Sequence, residues 1–137
     1  MLKTILIGLT LAATMAFSYA HDGEAAELGY APQNHNERGI KVTAALQRTS
    51  GSVQTWNIEV TLETHTKTLN DDLVKAAVLV ADGKQYLPLA WEGAAPGGHH
   101  RKGLLRFKAI DPRPSSVELQ IRLAGDPAPR SFKWLLK

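Results

Sequence analysis

Histidine is the side chain in this sequence best equipped for chemistry. The chain has five, His21, His35, His65, His99 and His100, and no cysteine at all. Neutral imidazole is the commonest protein ligand for divalent transition metals and suits Cu(II), Zn(II) and Ni(II). Both methionines, Met1 and Met15, fall in the first twenty residues, so residues 21–137 hold no soft sulfur donor and a Cu(I) site is not expected. The metal reading therefore names copper(II) first and zinc second. Its ligands are His65, one of the neighbours His99 and His100, and His21. Cleavage after Ala20 would leave His21 at a new N-terminus, where its free amine and ring nitrogen can chelate one ion together. The competing reading makes the histidines structural. His65 continues the polar face of Glu59, Thr61 and Glu63. The glycines of Pro96-Gly97-Gly98-His99-His100-Arg101-Lys102 then only shape a loop. Adjacent residues in extended chain also point opposite ways, which keeps His99 and His100 from serving one ion.

Other chemistries have less to build on. Asp71-Asp72 and Glu59 with Glu63 are carboxylate pairs, but their settings read as a turn and a strand surface rather than an acid/base couple. No Gly-x-Ser-x-Gly elbow, phosphate loop or His-Glu-x-x-His occurs. Arg101, Lys102 and Arg106 form a short basic run without interleaved exposed aromatics, so nucleic-acid binding is not expected. The expected molecule binds rather than catalyses, and catalysis would require a metal.

The elements that must position these histidines read as strands. Ile40, Val42, Ala44 and Leu46 alternate with Lys41, Thr43 and Gln47. Trp56, Ile58, Val60 and Leu62 alternate with Asn57, Glu59, Thr61 and Glu63. Period two with β-branched and aromatic residues predicts half-buried strands. Leu73 to Val80 is a continuous apolar run, expected of a strand covered on both faces. Asp82-Gly83 predicts a two-residue hairpin turn, with Lys84 to Trp91 as the return strand and Pro88 marking an edge or bulge. After a Gly/Pro loop over 92–103, strands are expected at Leu104 to Lys108, around Val117 to Leu123, and at Phe132 to Leu136. That makes seven strands with closely spaced turns, an all-β, antiparallel, immunoglobulin-like sandwich without the Cys-Trp-Cys signature of antibody domains. Trp56, Trp91, Trp134, Phe107 and Phe132 are its expected core anchors, each worth about 2–3 kcal/mol of burial.

If successive strands alternate in direction, the first begins at the pole where the second and fourth end. An arm carrying His21 and His35, the exit of the second strand at His65, and the loop of His99-His100 would then all meet at one end.

The first twenty residues have the parts of a secretory signal: Lys3, the apolar run Ile5 to Ala13, and small residues at Ser18 and Ala20. The apolar run is shorter than the roughly 20 residues that a membrane span requires. No cysteine comes after it, so a lipoprotein anchor is excluded. Lys3 is the only charged residue removed, and the formal charge of +3 drops by one. Such a mild balance is no nucleic-acid footprint. The expected organisation is a signal peptide at 1–20, a flexible N-terminal arm at 21–38 and a sandwich at 39–137, in the periplasm or secreted.

Two segments carry a family likeness. Trp56-Asn57-Ile58-Glu59-Val60-Thr61-Leu62-Glu63-Thr64-His65-Thr66 and Pro88-Leu89-Ala90-Trp91-Glu92-Gly93-Ala94-Ala95-Pro96-Gly97-Gly98-His99-His100-Arg101 resemble a group of uncharacterised bacterial exported domains of immunoglobulin-like type. The likeness reaches Trp134 and omits the arm. It implies an exported sandwich and transfers no catalytic residue. A looser similarity is to small β-sandwich copper carriers of the periplasm, some of which begin with a metal-binding histidine. The alternative function is an accessory domain that contacts another cell-envelope protein and whose histidines are structural.

Overall fold

The computed structural model describes residues 29–136. The expected signal peptide and His21 lie outside the described residues.

Among the described residues, nine strands and one short helix run in order: β1 (Gln33–Glu37), β2 (Ile40–Leu46), β3 (Thr55–Thr64), α1 (Leu73–Ala76), β4 (Ala77–Ala81), β5 (Lys84–Tyr86), β6 (Ala90–Gly93), β7 (His100–Lys108), β8 (Ser116–Ile121) and β9 (Arg130–Leu135). They form two antiparallel sheets, β1-β2-β3-β7-β6 and β5-β4-β8-β9. The inward residues of each strand fill the space between the sheets. Val42, Leu46, Ile58, Val60, Leu79, Leu105, Phe107, Leu119 and Phe132 are fully buried. β3 shows the cause most clearly, since Trp56, Ile58, Val60 and Leu62 are buried while the residues between them are not. The all-β, two-sheet expectation holds.

The strand count rises from seven to nine for identifiable reasons. β1 lies inside the stretch expected to be an arm. Its sequence, Gln33-Asn34-His35-Asn36-Glu37, has no apolar alternation, because it is an edge strand with little surface to bury. It joins β2 through Arg38-Gly39, whose φ values of 52° and 79° are both positive. That is the left-handed pairing of a type I′ hairpin, with arginine where Asn or Asp is usual. Asp82-Gly83 makes the expected turn of the same kind, with φ of 49° and 73°. The predicted return strand Lys84 to Trp91 divides at Leu87-Pro88-Leu89 into β5 and β6, which belong to different sheets. Proline cannot donate to a ladder, so the chain changes sheets there.

Leu73 to Val80 is not one strand. Asp72 caps a single helical turn, its carboxylate accepting from the Val74 N–H at 3.0 Å, and the chain becomes extended only at Ala77. An apolar run of this length carries no period to separate helix from strand, and the cap decides. The short strand expected at Leu104 extends back to His100.

Of the predicted anchors, Trp56, Phe107, Phe132 and Trp134 are buried. Trp91 is only half-buried. It lies on the outermost strand of its sheet, and its indole N–H donates to the Ala94 carbonyl at 2.9 Å.

Candidate functional site

Three of the predicted ligands meet at one pole. The hydroxyl of Thr64 donates to the Gly39 carbonyl at 2.7 Å and accepts from the N–H groups of Thr66 and Lys67. That local turn fixes His65 immediately beyond β3. The Thr64 N–H donates to the His99 carbonyl at 3.0 Å, the Leu69 N–H to Gly98 at 3.0 Å, and the Gly97 N–H to Leu69 at 2.7 Å. These three backbone bonds zip the exit of β3 to the entry of β7. Gly97 and Gly98 have φ of 118° and 70°, conformations that L side chains rarely adopt.

Arg101 secures the same junction from within. It is almost fully buried. Its guanidinium donates to the carbonyls of Asp71 at 2.7 Å, Leu69 at 3.4 Å and Ala94 at 3.3 Å, and it lies 5.7 Å from the centre of the Trp91 ring. Burial pulls its pKa below the ordinary arginine value, and the nearby Asp71 and Asp72 carboxylates offset part of that. The expected basic run is therefore not one patch. Arg101 faces inward, Lys102 pairs with Glu59 at 3.5 Å, and Arg106 pairs with Glu92 at 2.7 Å. The carboxylates of Asp71 and Asp72 are also placed. Asp72 caps α1, and Asp71 accepts from the Ala124 N–H at 2.9 Å.

Outside this framework lies a groove of about 540 Å³ lined by Asn36, Gly39, Lys41, Glu63, Thr64, His65, His99 and His100. Strand register explains its composition. Asn36 opposes Lys41, Lys41 opposes Glu63, and Glu63 opposes His100, so one cross-strand row runs over four strands of the sheet. The His100 Nε2 stands 3.9 Å from Glu63 Oε1. His65 comes two residues after Glu63 and lines the same groove.

Not every histidine joins them. His35 sits on β1 opposite Val42, an inward position. Its Nε2 donates to the Ser131 carbonyl at 2.7 Å, and its ring meets Phe132 edge-on at 4.9 Å. It stitches β1 to β9 and is no part of the groove. The expectation that all five histidines gather at one end fails for His35, and the cause is β1. This extra strand reverses the entry of the chain. The Tyr30 N–H is bonded to the Leu46 carbonyl at the far end of β2, so the described chain begins at the pole opposite the groove.

Glu63 is the site residue that sequence reasoning missed as a candidate ligand. Its alternation with Val60 and Leu62 marks it as a solvated strand residue, and only the β3–β7 register puts it beside His100. Among the described residues, no three His, Asp or Glu side chains stand grouped closely enough to hold an ion as they are.

No family model, curated protein or solved structure matches the chain.

Proposed function

We propose that this protein is an exported immunoglobulin-like binding domain, periplasmic or secreted, that captures a divalent metal in the histidine groove. Copper(II) is the first choice and zinc the second. His100, Glu63 and His65 are the ligands. The observation that carries the reading is the 3.9 Å approach of His100 Nε2 to Glu63 Oε1, with His65 lining the same groove. Two donors each about 2.0–2.2 Å from an ion stand at most roughly 4 Å apart, so this pair needs little adjustment. His99 lies in the bend just before β7 and lines the same groove, but only His100 stands within 4 Å of Glu63. The side chains are exposed and must turn to close on a metal. Ordering each costs about 0.5–1.5 kcal/mol, which makes the site weaker than a preformed one.

Titration of the processed protein with Cu(II) and Zn(II), followed by calorimetry and Cu(II) EPR, tests the reading. Nitrogen coupling from imidazole and a loss of affinity of at least tenfold in His65→Ala/His100→Ala are expected. An affinity unaltered in that double variant sinks metal capture at the groove.

A second reading has its own observation. Leu87 and Leu89 are 75% and 62% exposed beside the free edge of β6, which suits an accessory domain docking on another envelope protein. Weakened partner binding in Leu87→Ser/Leu89→Ser, with metal binding intact, would favour it.

A further inference from the structure

The groove holds more than metal donors. The row that contains Glu63 and His100 continues through Lys41 to Asn36, and all four line one space. At about 540 Å³ the groove has room for a small ligand beside an ion.

Charge sharpens the point. Lys41 directly opposes Glu63 and lines the same groove, so a divalent ion held by Glu63 shares that space with a lysine. Cation beside cation is unfavourable, and one carboxylate cannot neutralise both. Two imidazoles and one carboxylate also leave coordination positions open on copper(II) or zinc. An anionic oxygen placed between the metal and the ammonium meets both needs. It fills an open position by displacing a water, and it accepts hydrogen bonds from the Lys41 ammonium and the Asn36 amide.

We propose that the groove takes a divalent metal together with a small carboxylate anion. His100, Glu63 and His65 hold the metal, and Lys41 and Asn36 hold the anion. The inference rests on the metal reading above and adds the form in which the metal is carried.

The test separates the two. Wild-type protein is first titrated with Cu(II) alone in a non-coordinating buffer. The copper-loaded protein is then titrated with acetate, monitored by EPR and visible absorption, and the series is repeated with Lys41→Met, Lys41→Arg and Asn36→Ala. Saturable acetate binding is expected in wild type and in Lys41→Arg. It should weaken about tenfold in Lys41→Met and by a smaller factor in Asn36→Ala. Copper affinity without acetate should stay level or rise in Lys41→Met, because a repelling charge is gone. Those opposite signs are not what a misfolded variant would show. Normal copper binding with acetate affinity equal in wild type and Lys41→Met overturns the anion and leaves metal capture standing. Acetate that strips the copper without forming a ternary species also overturns it. Failure of Cu(II) to bind removes both proposals at the first step.

Discussion

Asp126 and Arg130 are four residues apart and both almost fully buried. The guanidinium donates to the Asp126 carboxylate at 2.9 Å and 3.2 Å, and also to the carbonyls of Ile40 at 2.6 Å and Glu37 at 3.0 Å. The pair thus ties the end of the second sheet to the β1–β2 turn. Burial alone would push the Asp126 carboxyl up. Hydrogen bonds from Arg130 and the Leu123 N–H, with the charges of Arg130 and Arg38, outweigh that and hold it below its ordinary 3.8. A carboxylate with the lower pKa in the folded state contributes its full stability above the unfolded value and loses it as pH falls through the folded one. Asp126→Asn leaves Arg130 buried without its counter-ion and should cost about 3–5 kcal/mol at pH 7. Urea unfolding at a series of pH values checks this. The gap between the variant and wild type should narrow only below the ordinary carboxylate range, and a gap independent of acid would contradict the assignment.

Among the elements, the β6–β7 pair has the tightest requirement. Gly93 opposes Gly103, and the Trp91 ring lies across them. A Cβ on Gly103 would come within 2.6 Å of the Glu92 carbonyl oxygen and 2.7 Å of Trp91 Cζ2. Neither the backbone nor a ring braced by its bond to Ala94 yields easily. Gly103→Ala should therefore destabilise the fold by about 1–3 kcal/mol, the usual range for overpacking. Thermal unfolding measures the loss, and a shift in Trp fluorescence should accompany it. An unchanged melting temperature would mean that the two strands separate there at no cost. Legibility in the sequence tracked burial. β2, β3 and β8 bury one face completely and alternate in sequence accordingly. β1 and β5 bury little and show no pattern. β6 is visible only as the remainder of a strand that Pro88 divides.

At the scale of the whole molecule, the two sheets are joined along the β1–β9 seam by side chains that stand in for a ladder. The Gln33 amide both donates to and accepts from the Lys133 backbone, His35 donates to Ser131, and the Trp134 indole donates to the Ala31 carbonyl at 3.1 Å. β1 thereby carries the chain from one pole to the other, and Gly29 and Tyr30 sit beside Leu46, away from the groove. The seven residues of β2 span about 20 Å at roughly 3.3 Å per residue. The site proposed from His100, Glu63 and His65 does not call on a terminal amine. A short N-terminal extension ahead of His21 should leave Cu(II) affinity within about twofold of the processed protein, by the same calorimetric titration. A tenfold loss would show that the His21 amine is a ligand after all.

The chain's own residues determined that it folds as β-sheet around an apolar interior, because alternation is written directly into the strands that have a face to bury. They also determined which polar side chains are present to act, since side-chain type is carried by the chain itself. Which of them meet was decided by tertiary structure. One inconspicuous polar strand, β1, sets the pole at which the described chain begins, and the register of β3 on β7 sets Glu63 against His100. Register and strand direction depend on pairings between residues far apart in sequence, and a one-residue slip would turn every side chain to the other face.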